Sequence, residues 1–205
     1  MASGRVQRVL ADANILYSRT LRDWVCLLHQ HSEGSMFTVC WTEDIMAETV
    51  YHLRKKNPHY GDHQVGGTRR RIVGALGEHN AITGYSIDKT CSYPDLFDAH
   101  VHCAAIHGRV DILLTADTEG FKFDNLDELP YEVYSADDYF QLVDDSQPEV
   151  VVAVMEEQLR YWVPKKGKSL PEALRAAQAP GFAERIRLYL QSADIERILS
   201  AEDDF

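Results

Sequence analysis

The stretch VLADANILYS, residues 9–18, joins an apolar run to an acid, an Asn and a second apolar run. Val9, Leu10 and Ala11 read as the end of a buried strand. Ile15 and Leu16 read as the start of a helix that Asn14 can cap. Asp12 stands at the junction, where an acid either caps the helix or works chemically. In parallel α/β sheets ligands gather at the carboxyl ends of strands, so this position matters for function as well as fold.

Outward from this stretch, strand-like and helix-like segments alternate. TLRDWVCLLHQH predicts a helix, with Thr20 and Asp23 spaced like a capping box and Gly34 as its stop. MFTVCW predicts a strand, residues 42–54 and 68–76 predict helices, and residues 85–87 a short strand. Pro94 is expected to open a helix that runs to His107 and breaks at Gly108. VDILLT is the most strand-like segment of the chain, and YEVYS predicts a last strand before a helix that Ser135 and Asp138 can cap. This order implies an α/β class with three layers around a central parallel sheet. From Ser146 onward the pattern is helical only, with the basic loop PKKGKS between helices. The expected organisation is one domain over residues 1–145 and a C-terminal helical extension over residues 146–205, packed on it.

At 205 residues with 45% apolar side chains, the chain can bury one sizeable core. No window is apolar enough for a signal peptide or a membrane span, so a soluble, cytoplasmic protein without membrane contact is expected. Cys26, Cys40, Cys91 and Cys103 lack CxxC spacing and read as reduced and mostly buried. A zinc site of Cys103 with His100, His102 and His107 is disfavoured, because structural zinc normally takes spaced ligand pairs. The net charge of −11 argues against a surface that grips nucleic acid all round. Three basic islands interrupt it: Arg54, Lys55 and Lys56; Arg69, Arg70 and Arg71; and Lys165, Lys166 and Lys168. Each taken alone reads as a solvated face or loop.

The acids carry more information. Asp12 follows the first strand, and Asp117 follows VDILLT in LLTADTEGF. In PDLFDAHVHCAA, Asp95, Asp98 and His102 are spaced to share one helical face. Glu48 lies on the DIMAETVYHL helix opposite the stripe of Met46, Val50 and Leu53, which by itself describes a solvated face. Asp12 and Asp117 suit capping or turn roles as well as metal binding, Asp95 suits a helix-start acid, and His102 suits packing.

LADANIL, TEDIMAETV, PDLFDAHVHCAA and ILLTADTEGF, in this order, resemble the PIN domain, and especially the VapC-like toxin ribonucleases. The resemblance spans roughly residues 5–140, with SYPDLFDAHVHCAAIHGRVDILLT its most specific part. It implies a PIN-like fold in which Asp12, Glu48, Asp98 and Asp117 are the catalytic, metal-binding acids. Asn14 and Thr115 would orient them, with Asp95 in a supporting place beside Asp98. Related sequences often carry a further acid before the aromatic of the fourth motif, where this chain has Gly120 before Phe121. The implied cofactor is Mg²⁺ or Mn²⁺, the implied reaction hydrolysis of RNA phosphodiesters, and the implied partners a small antitoxin and a second copy of the chain.

Two other readings use the same residues. A phosphoacceptor domain of the receiver kind also has an Asp at a strand end, but it needs an N-terminal acidic pair that VLADAN lacks. A PIN fold without catalysis, acting as a binding module, is a reading against which four intact acids weigh.

Overall fold

In the computed structural model the described residues are 5–32, 35–90, 92–122 and 129–200. Gly34 and Cys91 therefore lie outside them. The chain divides into two compact units, residues 1–135 and 136–205.

The first unit is built on four parallel strands, β1 (Gln7–Ala11), β2 (Phe37–Cys40), β3 (Ile112–Leu114) and β4 (Glu132–Tyr134), in the order β2-β1-β3-β4. Val9 pairs with Val39 on one side and with Ile112 on the other. Val9, Leu10, Ala11, Leu113 and Leu114 are fully buried, as expected of parallel strands covered on both faces. Helices flank the sheet: α1 (Ala13–Tyr17), α2 (Arg19–His31), α3 (Glu43–Lys56), α4 (Asp62–Leu76) and α5 (Ala99–His107). Trp24 and Leu28 of α2, and Ile45, Thr49 and Leu53 of α3, are buried at the spacing of an inward helical face. The chain leaves β1 toward β2 on one side of the sheet, while β3 and β4 extend the other side. The order thus reverses between β1 and β3, a switch point that opens a crevice beyond their carboxyl ends.

Several local expectations are corrected. The cap of α1 is Asp12, whose Oδ1 accepts from Ala13 N–H at 2.6 Å, while Asn14 lies inside the helix. Ser18 precedes α2 without a side-chain capping bond, and Asp23 instead approaches Arg19 and Arg22, so there is no capping box at Thr20. Residues 85–87 form no strand, and the Tyr85 hydroxyl donates to Asp44. The helix expected from Pro94 begins at Ala99, and Asp95 closes a turn by accepting from Phe97 N–H at 2.8 Å. Asp95 and Asp98 therefore do not share a helical face with His102. That imidazole is buried, with Nδ1 2.6 Å from the Tyr131 hydroxyl. Cys103 contacts the Tyr93 hydroxyl at 3.1 Å rather than joining a zinc set.

The second unit is helical: α6 (Ala136–Ser146), α7 (Pro148–Trp162), α8 (Leu170–Ala176), α9 (Pro180–Ser192) and α10 (Ile195–Ser200). Proline occupies the first turn of α7, α8 and α9, where its missing N–H costs nothing. Ser169 and Glu172 form a reciprocal capping box on α8. Phe140, Val151, Val154, Leu174, Phe182, Ala183 and Ile186 are fully buried. Among the described residues no helix is long and apolar enough to cross a membrane.

Candidate active site

The crevice at the switch point is built around Asp12. Its backbone N–H donates to Leu114 C=O at 3.0 Å, so the β1–β3 ladder carries the residue one step past the strand and fixes its Cα. The side chain is held as firmly. Oδ2 accepts from Asn14 Nδ2 at 2.6 Å and from Thr115 Oγ1 at 2.8 Å, and Oδ1 accepts from Ala13 N–H. Thr115 is fully buried and also accepts from Asp117 N–H at 3.1 Å, while Asn14 Oδ1 accepts from Ala116 N–H at 2.8 Å. Asn14 and Thr115 thus lock the first acid and the turn that carries the last one into a single hydrogen-bonded unit. Burial pushes the Asp12 carboxyl above its ordinary range, opposed by the Thr115 and Ala13 hydrogen bonds and reinforced by the charge of Glu48.

Asp98 stands at the N-terminus of α5, where its backbone carbonyl accepts from Val101 and His102 N–H groups. Its carboxyl is pushed up to about 6, first by burial and then by the negative charges of Asp12, Asp95, Asp117 and Glu48. Asp98 thus lies within electrostatic range of Asp12, Asp95, Asp117 and Glu48, and its Oδ2 stands beside Gly120 together with Asp117 Oδ2. Asp95 is exposed, whereas Asp98 and Glu48 are half-buried.

Asp117 reaches the crevice from the turn after β3, where its Oδ1 accepts from Gly120 N–H at 3.1 Å. A Cβ placed on Gly120 would lie 2.9 Å from Asp98 Oδ2, closer than such contacts occur, and 3.1 Å from Asp117 Oδ2, a tight one. A side chain here would therefore press on both carboxylates, which the glycine leaves room for. Gly120 is thus a site residue whose role lay outside what the sequence alone disclosed.

Glu48 projects from α3 beside two imidazoles. Its Oε1 lies 3.3 Å from His52 Nε2, and its Oε2 lies 3.8 Å from His100 Nε2. Among the described residues no Lys or Arg forms an ion pair with Asp12, Glu48, Asp98 or Asp117. Hard carboxylate oxygens suit Mg²⁺ and Mn²⁺, and the bare backbone at Gly120 leaves the carboxylates free to approach one, so the residues fit such an ion. Among the described residues no three His, Cys, Asp or Glu side chains already stand as a closed ligand group. An ion would be held by small side-chain rotations and partly through water, as is usual for Mg²⁺.

No curated protein and no solved structure matches the chain. The sequence profile of the PIN domain, a nuclease-type fold, matches residues 8–119, which is more than half of the chain and includes Asp12, Glu48, Asp98 and Asp117. The four-stranded parallel sheet, the strand-end acids and this match together make the chain a member of the PIN domain family.

Proposed function

We propose that the protein is a Mg²⁺- or Mn²⁺-dependent endoribonuclease, and that it is the toxin of a toxin–antitoxin pair. The observation that carries the first part is the grouping of acids at the strand ends, Asp12 and the Asp117 turn both tied to the Thr115 hydroxyl and Asp98 beside Asp117 at Gly120, with no Lys or Arg paired to them among the described residues. Carboxylates gathered without a partner cation serve one that arrives with the substrate or before it.

Asp12 and Asp98 would hold the ion, with Asp117 and Glu48 completing the oxygen set directly or through water. Bound there, such an ion would supply neutralisation of phosphate charge and a water of lowered pKa. The protein's own contribution is positional. Asn14 and Thr115 donate to Asp12 Oδ2 and hold its carboxylate in place. The hydrogen bond from Gly120 N–H fixes Asp117 in the same way. No Ser, Cys or Lys nucleophile is needed, because water is the attacking group.

RNA reaches an acidic crevice only against repulsion, so a basic approach is required. Glu48, Tyr51, His52 and Lys55 follow one another at helical spacing on α3, and Arg54, Lys55 and Lys56 end that helix. This strip leads from the acids to positive charge and suits a phosphodiester chain lying along it.

The toxin assignment rests on the VapC-like resemblance of the four motifs. It brings a small antitoxin that inserts an Arg or Lys among the acids, a homodimer, and a cytoplasmic setting. Purified protein incubated with structured RNAs in Mn²⁺ or Mg²⁺ tests the catalytic part. Cleavage that EDTA and Asp98→Asn both abolish is the expected result. RNA binding without cleavage would convert the reading into a silent binding module. Co-expression with the adjacent small gene, followed by size exclusion, tests the antitoxin.

A further inference from the structure

Leu96 and Phe97 lie in the turn that enters α5, directly before Asp98. They are the most exposed large apolar side chains among the described residues, at 74% and 88%. Single apolar residues on a surface are ordinary, but the backbone beneath this pair is not loose. Phe97 N–H donates to Asp95 Oδ1 at 2.8 Å, and the Phe97 carbonyl oxygen lies 2.9 Å from His100 Nδ1. Asp98 N–H reaches the Asp95 carbonyl and Ala99 N–H the Leu96 carbonyl, each at 3.3 Å. The turn is tied down while its ring stands in water. Folding gains almost nothing from that ring, whereas a fixed, solvent-facing ring costs little entropy when something binds to it.

The position of the ring says what that something is. Phe97 adjoins Asp98 in the chain, and His100, which meets the Phe97 carbonyl, has its Nε2 3.8 Å from Glu48 Oε2. One helical turn beyond Glu48 on α3 is a second exposed ring, Tyr51, with Lys55 Nζ 5.9 Å from its centroid. Exposed rings and a cation thus border the acids, the composition of a surface that follows a nucleic-acid strand by stacking its bases. Asp95 and Asp98 flank Phe97 and repel a phosphate there, but not the apolar face of a base. Two apolar side chains between carboxylates also fall far short of the roughly 1,000 Å² that a specific protein interface buries.

We propose that Phe97 is the base-stacking residue of the site: an unpaired nucleobase next to the scissile phosphate lies on its ring and sets the strand in register with Asp98. The proposal rests on the ribonuclease reading above and names a residue that positions its substrate. Because every base has a stacking face, Phe97 selects an unpaired nucleotide rather than a particular base.

The test pairs the ring with its base. Wild type, Phe97→Ala and Phe97→Tyr are assayed in Mn²⁺ on an unstructured oligoribonucleotide and on copies of it that each carry one abasic nucleotide. Cleavage rate and, by fluorescence anisotropy, affinity are measured, with circular dichroism to check folding. Phe97→Ala should lower kcat/KM by about tenfold, and Phe97→Tyr should restore it. One abasic position beside the cut should cause a similar loss in wild type and no further loss in Phe97→Ala. Losses that add at every position, or an unchanged kcat/KM in Phe97→Ala, would overturn the proposal. If that variant instead lost co-purification with the product of the adjacent small gene, the ring would belong to a protein interface. Coupling seen in affinity without any cleavage would keep Phe97 as the stacking residue and overturn the nuclease reading. A wild type that neither binds nor cuts the RNA would overturn both.

Discussion

Asp144 in the helical unit is nearly fully buried, yet every charge around it is answered. Its Oδ2 accepts from Arg185 at 2.9 Å and its Oδ1 from the Tyr189 hydroxyl at 2.7 Å, while Asp145 binds the same guanidinium. Arg185 holds the Asp145 carboxyl below the usual range. In the sheet unit, Asp98 is pushed upward instead, first by burial and then by the charges of Asp12, Asp95, Asp117 and Glu48. Two clusters of carboxylates in one chain thus carry opposite electrostatic signatures. Where the protein supplies the cation, the cluster holds a fold together; where it supplies none, the cluster costs stability.

The largest test of this contrast is catalytic. Asp12→Asn and Asp98→Asn should each lower RNA cleavage by at least about 10²-fold while the circular dichroism spectrum stays native. Neutralising Asp144 or Asp145 should leave per-molecule activity of the folded protein unchanged. Near-normal turnover in either site variant would dissolve the distinction between the clusters.

Stability should move in opposite directions in the two places. Arg185→Met leaves the buried Asp144 without its cationic donor and should cost about 1–3 kcal/mol in denaturant unfolding. Asp98→Asn removes repulsion and should raise the melting temperature in EDTA, while shrinking the stabilisation given by added Mn²⁺. A lower melting temperature in EDTA for Asp98→Asn would contradict the electrostatic account.

The pH response sharpens the same point. With its carboxyl at about 6, folded Asp98 keeps a proton that the unfolded chain has already released across the window from about pH 4 to 6. The folded form therefore binds more protons there, and metal-free stability falls as pH rises through the window, then levels off. Thermal unfolding in EDTA should show this slope, and Asp98→Asn should flatten it.

Smaller effects belong to the supports. Gly120→Ala should weaken Mn²⁺ binding several-fold by pressing on the Asp98 and Asp117 carboxylates. Thr115→Val removes the donor to Asp12 and should cost about 1 kcal/mol, with a reduced turnover number. Asp95→Asn, at the exposed edge, should change cleavage least.

The sheet and the four acids were legible because strand ends in a parallel fold are few, and Asp12 and Asp117 follow the two most apolar runs. Asp98 and Glu48 became legible through the resemblance, since Glu48 alone looks like any solvated helical acid. What sequence periodicity missed was local competition for backbone groups. Asp12 rather than Asn14 caps α1 because Asn14 is already committed to Asp12, Thr115 and Ala116. The turn around Asp95 takes the residues that Pro94 was expected to bring into helix. Gly120 escaped for a related reason: it acts by lacking a side chain.

The most direct measurement is a calorimetric titration of Mn²⁺ into wild type and into the Asp12→Asn/Asp98→Asn double variant, in parallel with a Ca²⁺-free buffer control. The account predicts saturable binding in the wild type and none in the double variant, which should nonetheless be the more stable protein before metal is added. Equal binding by both proteins, or none by the wild type, would contradict the claim that these carboxylates are held together for an ion.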